Sequence, residues 1–325
     1  MSPFNKILYN VVIQFTLQFF SLQDSSWENL KGNRFQMKKA MVLLLILSLL
    51  FCWNAQAQVE KSPLLDAALS ALEKDNIFLF RYNELTGSSI SALFDLGIPY
   101  LFGGTEAGGV FNKYPNYWKR LCWQDSEFFR EGQVYVNGFD CVGFTRWVYH
   151  QCHIPAHPSL SDMILNYSEF KNNYLFTHRE GQQMPPFDQM KDTLRVGDLF
   201  AMKHPYSMYR HIMMYIGTLR DFGFTAQEEP ALASYLDYPL VAHCGTHPLY
   251  GERFQQFIDA HPEDYGNCLT TDGGVQVSII GVPLDQTPYH IHVQNTDFHY
   301  FILQDGTWMT ALDVFDLSSY CWFRI

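Results

Sequence analysis

Cys141 stands at the start of an apolar helical pattern in Asn137-Gly138-Phe139-Asp140-Cys141-Val142-Gly143-Phe144-Thr145-Arg146-Trp147-Val148-Tyr149-His150. Phe144 and Val148 are four residues apart and Cys141 lies a turn earlier, so the three share one helix face. Cys141 therefore falls in the first turn, where backbone N–H groups lack intrahelical partners and the helix dipole is positive. Such a site favours the thiolate, the nucleophilic form of cysteine. A cysteine nucleophile needs a base, and the base needs a third polar group to orient its ring. Among the twelve histidines, His211 opens the strand pattern His211-Ile212-Met213-Met214-Tyr215-Ile216-Gly217. His243 ends another, Pro239-Leu240-Val241-Ala242-His243. Adjacent antiparallel strands put the start of one beside the end of the next, so the two rings can meet at one sheet edge. The bland reading of the same residues is a small buried cysteine and two strand-end histidines with structural hydrogen bonds.

Competing chemistry is thin. The chain has no C-x-x-C, G-x-S-x-G or H-E-x-x-H, and its glycine pairs make neither a G-x-G-x-x-G nor a P-loop. His290-x-His292, with Asp297 and His299, could place two imidazoles on one strand face as a metal site. Exposed strand histidines account for them better, and no metal or cofactor is expected. Asp198, in Val196-Gly197-Asp198-Leu199, reads as a turn residue before a strand.

The elements that position these residues fall into two blocks. Leu64 to Leu72 and Ser88 to Leu96 read as short helices, followed by the nucleophile helix and a helix-containing connection over 158–192. Strands then follow from Leu199 onward: the two histidine strands, Val275 to Val282, His290 to Val293, Tyr300 to Leu303 and Tyr320 to Ile325, with a helix over Gly251 to Ala260. Helices first and consecutive strands afterwards argue for an α+β fold with a mainly antiparallel sheet. Aromatic residues between Tyr114 and Phe129 either pack over the core or wall a groove; packing is the commoner fate of such clusters.

Met37-Lys38-Lys39, the apolar run Ala40 to Trp53 and Ala55-Gln56-Ala57 have the charged start, short apolar core and small-residue cleavage site of a secretory signal peptide. On this reading residues 1–36 are a mis-called extension, 37–57 the signal, and the mature chain starts at Gln58. The apolar run is too short for a membrane span, and bulky Phe51 before Cys52 argues against a lipid anchor. Loss of residues 1–57 removes five basic and two acidic residues, taking the net charge from −11 to −14. So acidic a chain offers no positive patch to a nucleic-acid backbone. Six cysteines remain, and an oxidising compartment would permit disulfides among them.

Four short motifs in order carry a resemblance: Gly97-Ile98-Pro99-Tyr100-x-x-Gly103-Gly104, Phe139-Asp140-Cys141-x-Gly143-Phe144, Gly197-Asp198-Leu199, and His211-x-x-x-Tyr215-Ile216-Gly217. Together they resemble the NlpC/P60 family, papain-like cysteine peptidases that mostly cut bacterial cell-wall peptides. The resemblance spans about 97–245 and follows the non-permuted branch. It implies a papain-like α+β fold, an antiparallel sheet with the nucleophile at the N-terminus of a helix packed on it. It divides the chain into an N-terminal helical segment, 58–96, and a catalytic domain with insertions, 97–325. By the same resemblance Cys141 is the nucleophile, His211 the base and His243 the orienting residue, with His247 as a fallback. Tyr100 lines the site, and Asp140 helps bind a free substrate amine. Val142 departs from the serine usual after the cysteine, which weakens that last role. The implied activity is hydrolysis of an amide in peptidoglycan stem peptides, usually the γ-D-glutamyl–diaminoacid bond, by an exported, cell-envelope protein. A cell-wall amidase on the same scaffold and a non-catalytic cell-wall binding protein are the alternatives.

Overall fold

The computed structural model describes residues 59–104, 110–111, 135–155, 174–179, 189–190, 192–203, 210–266, 268–293, 296–313 and 319–325. The signal-peptide reading, the mis-called extension and the aromatic segment between Tyr114 and Phe129 lie outside them. Within Val59–Ile325 the described helices are α1 (Pro63–Ser70), α2 (Ile77–Thr86), α3 (Cys141–Gln151), α4 (Tyr250–Ala260) and the single turn α5 (Pro262–Tyr265). Strands β1 (Val110–Phe111) and β2 (Tyr135–Val136) pair with each other. Nine more strands form one sheet: β3 (Tyr174–Arg179), β4 (Leu199–Lys203), β5 (Arg210–Thr218), β6 (Pro239–Thr246), β7 (Gly273–Ile280), β8 (Tyr289–Val293), β9 (Thr296–Ile302), β10 (Trp308–Leu312) and β11 (Ser319–Phe323). Their order across the sheet is β3-β11-β4-β5-β6-β7-β10-β9-β8. Every neighbouring pair is antiparallel except β7 and β10, so the sheet is mixed.

The two faces of this sheet are chemically different, and strand alternation makes them so. Ile212, Met214, Ile216, Leu240, Ala242, Cys244, Val275 and Val277 lie in one core with Phe144 and Val148 of α3 and with α1 and α2. Met213, Tyr215, Val241 and Ile280 belong to a second cluster with Phe200, Tyr320 and Trp322. Phe144 and Val148 are fully buried, and each contributes roughly 1.5–3 kcal/mol by leaving water. Residues 59–96 feed the same core as α3, through Leu65, Leu69, Phe78 and Tyr82.

One sequence expectation fails. Ser88 to Leu96 is not a helix: α2 ends at Gly87 in the left-handed conformation, and the Asn83 amide then bonds both backbone groups of Ile90. The Asn83 Nδ2 donates to the Ile90 carbonyl at 2.8 Å, and the Ile90 N–H donates to Asn83 Oδ1 at 2.9 Å. A side-chain clamp of this kind competes with helix formation. The connection over 158–192 has helical residues at 189–190 and also contains β3, an edge strand paired with β11. Two further features were unread: β10, and the way 219–238 packs on α2. There Phe78 meets Phe222 edge-on at 5.3 Å, and Arg81 stacks on Phe224 at 3.9 Å.

Asp198 is the turn residue expected. Its carboxylate accepts the Arg195 N–H at 2.7 Å and both Nε and Nη2 of Arg324 at 2.6 Å. This pair fastens the C-terminal end of the chain to the turn entering β4.

Candidate active site

α3 begins at Cys141 because Asp140 caps it: extended backbone at Asp140, with Oδ1 accepting the Gly143 N–H at 2.5 Å. Oδ2 accepts the Gly103 N–H at 3.0 Å, so one carboxylate holds both the helix and the loop beside it. That loop runs along the residues before Cys141: Phe139 N–H to Pro99 O at 3.0 Å, Leu101 N–H to Phe139 O at 2.9 Å, Asp140 N–H to Gly104 O at 3.1 Å. The approach is close enough to require glycine at 143, where a Cβ would overlap the Gly104 carbonyl oxygen. Tyr100 is half-buried on this ladder, bridged to Phe139 and bonded through its N–H to Gly273 O at 2.7 Å. From the sheet side the buried Cys244 thiol points to Phe139 O at 3.2 Å.

Cys141 is partly buried, and the Ile212 backbone N–H hydrogen-bonds toward its thiol. Burial first, and the Asp140 charge second, push the thiol pKa up to about 12, against the backbone N–H groups that lower it. The helix N-terminus alone therefore does not yield a thiolate, contrary to the expectation from its position.

His211, the residue before Ile212, meets His243 directly: Nε2 to Nδ1 at 2.8 Å, with the rings nearly perpendicular. His243 is not at a strand end; β6 continues to Thr246, and Gly245 sits beside both rings. A Cβ at 245 would come 3.3 Å from His211 Cε1 and 3.5 Å from His243 Nδ1. Burial lowers His211 to about 4 and, together with His211 and His247, holds His243 well below the ordinary histidine range. Both rings are thus kept neutral. His247 does not join the pair; its Nδ1 accepts the Leu249 N–H at 3.3 Å.

Behind His243 stands a row of polar side chains that the sequence reading missed. His243 Nε2 lies 2.7 Å from Ser278 Oγ, Ser278 Oγ contacts Thr310 Oγ1, and Thr310 Oγ1 donates to Gln276 Oε1 at 3.2 Å. Gln276 Nε2 donates to Thr246 O at 2.7 Å. A signal was present: Gln276 and Ser278 are polar two apart in an otherwise apolar strand, hence on one face. Elsewhere, His292 pairs with Asp297 at 2.8 Å on the surface, and His299 Nδ1 meets Thr287 Oγ1 at 2.9 Å. Among the described residues no group of three or more His, Cys, Asp or Glu is placed to hold a metal ion. No helix among them is long and apolar enough to cross a membrane.

A helix-borne cysteine is thus joined, through the Ile212 backbone N–H, to a strand that carries one of a buried histidine pair. Residues 97–227 match the model of the NlpC/P60 family, whose members are generally cell-wall peptidases. The match covers Cys141 and His211; His243 and the polar groups behind it lie beyond it. Comparison with curated proteins and with solved structures gives no match.

Proposed function

We propose that this protein is an exported cysteine peptidase that hydrolyses an amide bond in peptidoglycan stem peptides, the γ-D-glutamyl–diaminoacid bond in the first instance. The observation that carries the reading is the His211–His243 contact on the strand whose next N–H reaches the Cys141 thiol. With Nε2 of His211 turned to His243, Nδ1 is the nitrogen that exchanges a proton with the thiol. Each group alone is held neutral, so thiolate and imidazolium form together, each stabilising the other, as the sulfur attacks the carbonyl. The Cys141 N–H, at the helix N-terminus, is the natural donor to the developing oxyanion. The imidazolium then protonates the leaving amine, and water, activated by the same ring, cleaves the thioester. Tyr100 lines the site. Asp140, already holding two N–H groups, turns its remaining lone pairs and its charge to a free amine of the stem peptide.

Digestion of purified sacculi with the chain from residue 58, followed by mass spectrometry of the released fragments, tests this. New termini at the D-glutamyl–diaminoacid bond support it. Cleavage between muramic acid and alanine would make the protein an amidase, and binding without any released fragment would make it a binding protein.

A further inference from the structure

The hydrogen bonds behind His243 form a row whose donors all point one way. Gln276 Nε2 faces the carbonyl oxygen of Thr246, which can only accept, so Oε1 must face Thr310. An amide oxygen can only accept, so the Thr310 hydroxyl proton points to Gln276. Thr310 Oγ1 must then accept from Ser278, whose single proton is thereby used. Ser278 Oγ is left to accept from His243, which places the His243 proton on Nε2 and its lone pair on Nδ1. Nδ1 must accept from His211, so the His211 proton is on Nε2 and its lone pair on Nδ1. All five side chains are at most 5 % exposed, so water does not readily substitute for any of them.

We infer that Gln276, Thr310 and Ser278 are positioning residues that lock His211 in the Nε2–H tautomer, an uncharged relay where a catalytic triad would place a carboxylate. Every donor in the row points away from His211, so the row presents lone pairs toward the ring and favours its imidazolium. The juxtaposition comes from register: His243 opposes Gln276, Val241 opposes Ser278, and Ser278 opposes Thr310, all on the sheet face turned away from α3. The inference rests on the proposed role of His211 for its catalytic consequence, but the tautomer itself does not depend on that role.

The test is the long-range ¹H–¹⁵N spectrum of ¹⁵N-histidine-labelled protein, which reports which ring nitrogen carries the proton. Both His211 and His243 are expected as Nε2–H at pH 7. In Thr310→Val the Ser278 proton loses its acceptor and turns to His243, and His211 should shift to the Nδ1–H form. Thr310→Ser, which keeps the hydroxyl, should restore the original spectrum. Hydrolysis by Thr310→Val should fall roughly 10- to 100-fold in kcat, part of the ~10²–10⁴ that a general base supplies, and recover in Thr310→Ser. Ser278→Ala is the second variant should Thr310→Val not fold. His211 carrying its proton on Nδ1 in the unaltered protein, or a tautomer indifferent to Thr310→Val, overturns the inference. Correct tautomers in a protein that cleaves no stem peptide would instead refute the proposed function and leave the relay standing.

Discussion

Acid should unfold this protein through its buried histidines before its carboxylates matter. His211 is 5 % exposed, and burial lowers its pKa to about 4, against ~6.5 in an unfolded chain. Between these values the unfolded state binds more protons than the folded one, so stability falls as pH falls. The contribution is intact above about 6.5 and is lost on descent toward about 4. For His211 alone the loss is about 2 kcal/mol at pH 5 and about 3 kcal/mol at pH 4. His243 shifts in the same direction and adds to it. Protonation also has a local cause of harm: a charged His243 carries a proton on Nδ1, facing the proton on His211 Nε2. Urea unfolding of the unaltered protein and of His211→Gln at pH 7, 6 and 5 measures this. The variant's stability should fall about 2 kcal/mol less between pH 7 and 5 than that of the unaltered protein. Parallel stability profiles would refute the reasoning, since His211 would then titrate as freely folded as unfolded.

The frame around Cys141 and the turn entering β4 give three more expected outcomes. Gly143→Ala drives a Cβ into the Gly104 carbonyl, so it should displace the start of α3 and abolish thiol hydrolysis, with a lowered Tm by calorimetry. Asp140→Asn keeps an acceptor for the Gly143 N–H but removes the charge that raises the Cys141 pKa; alkylation of Cys141 should set in at lower pH. Arg324→Ala leaves the Asp198 carboxylate, 1 % exposed, without its cation, and should cost about 2–4 kcal/mol in urea unfolding.

Much of the site was legible because it is local. The Cys141 position in a first helical turn and the apolar stripe of Phe144 and Val148 follow from helix spacing, and two histidines on neighbouring antiparallel strands were expected to meet. What escaped reading depends on distant pairings. Ser278 and Thr310 are joined only by the parallel register of β7 and β10, and β10 carries no clear strand alternation. Ser88 to Leu96 has helix-like spacing, but the Asn83 clamp on Ile90 is a tertiary choice that periodicity does not contain. The thiol pKa escaped for a similar reason: the helix N-terminus is visible in sequence, whereas the burial that outweighs it belongs to the packed sheet.

The central claim is that Cys141 is the nucleophile and His211 its base. Site-resolved iodoacetamide labelling, quantified by mass spectrometry alongside stem-peptide hydrolysis in the same samples, tests it most directly. Lost activity should track the labelled fraction of Cys141 one for one and be independent of labelling at Cys152 or Cys268, and His211→Ala should slow labelling of Cys141 alone. Hydrolysis that persists when Cys141 is fully labelled would contradict the account.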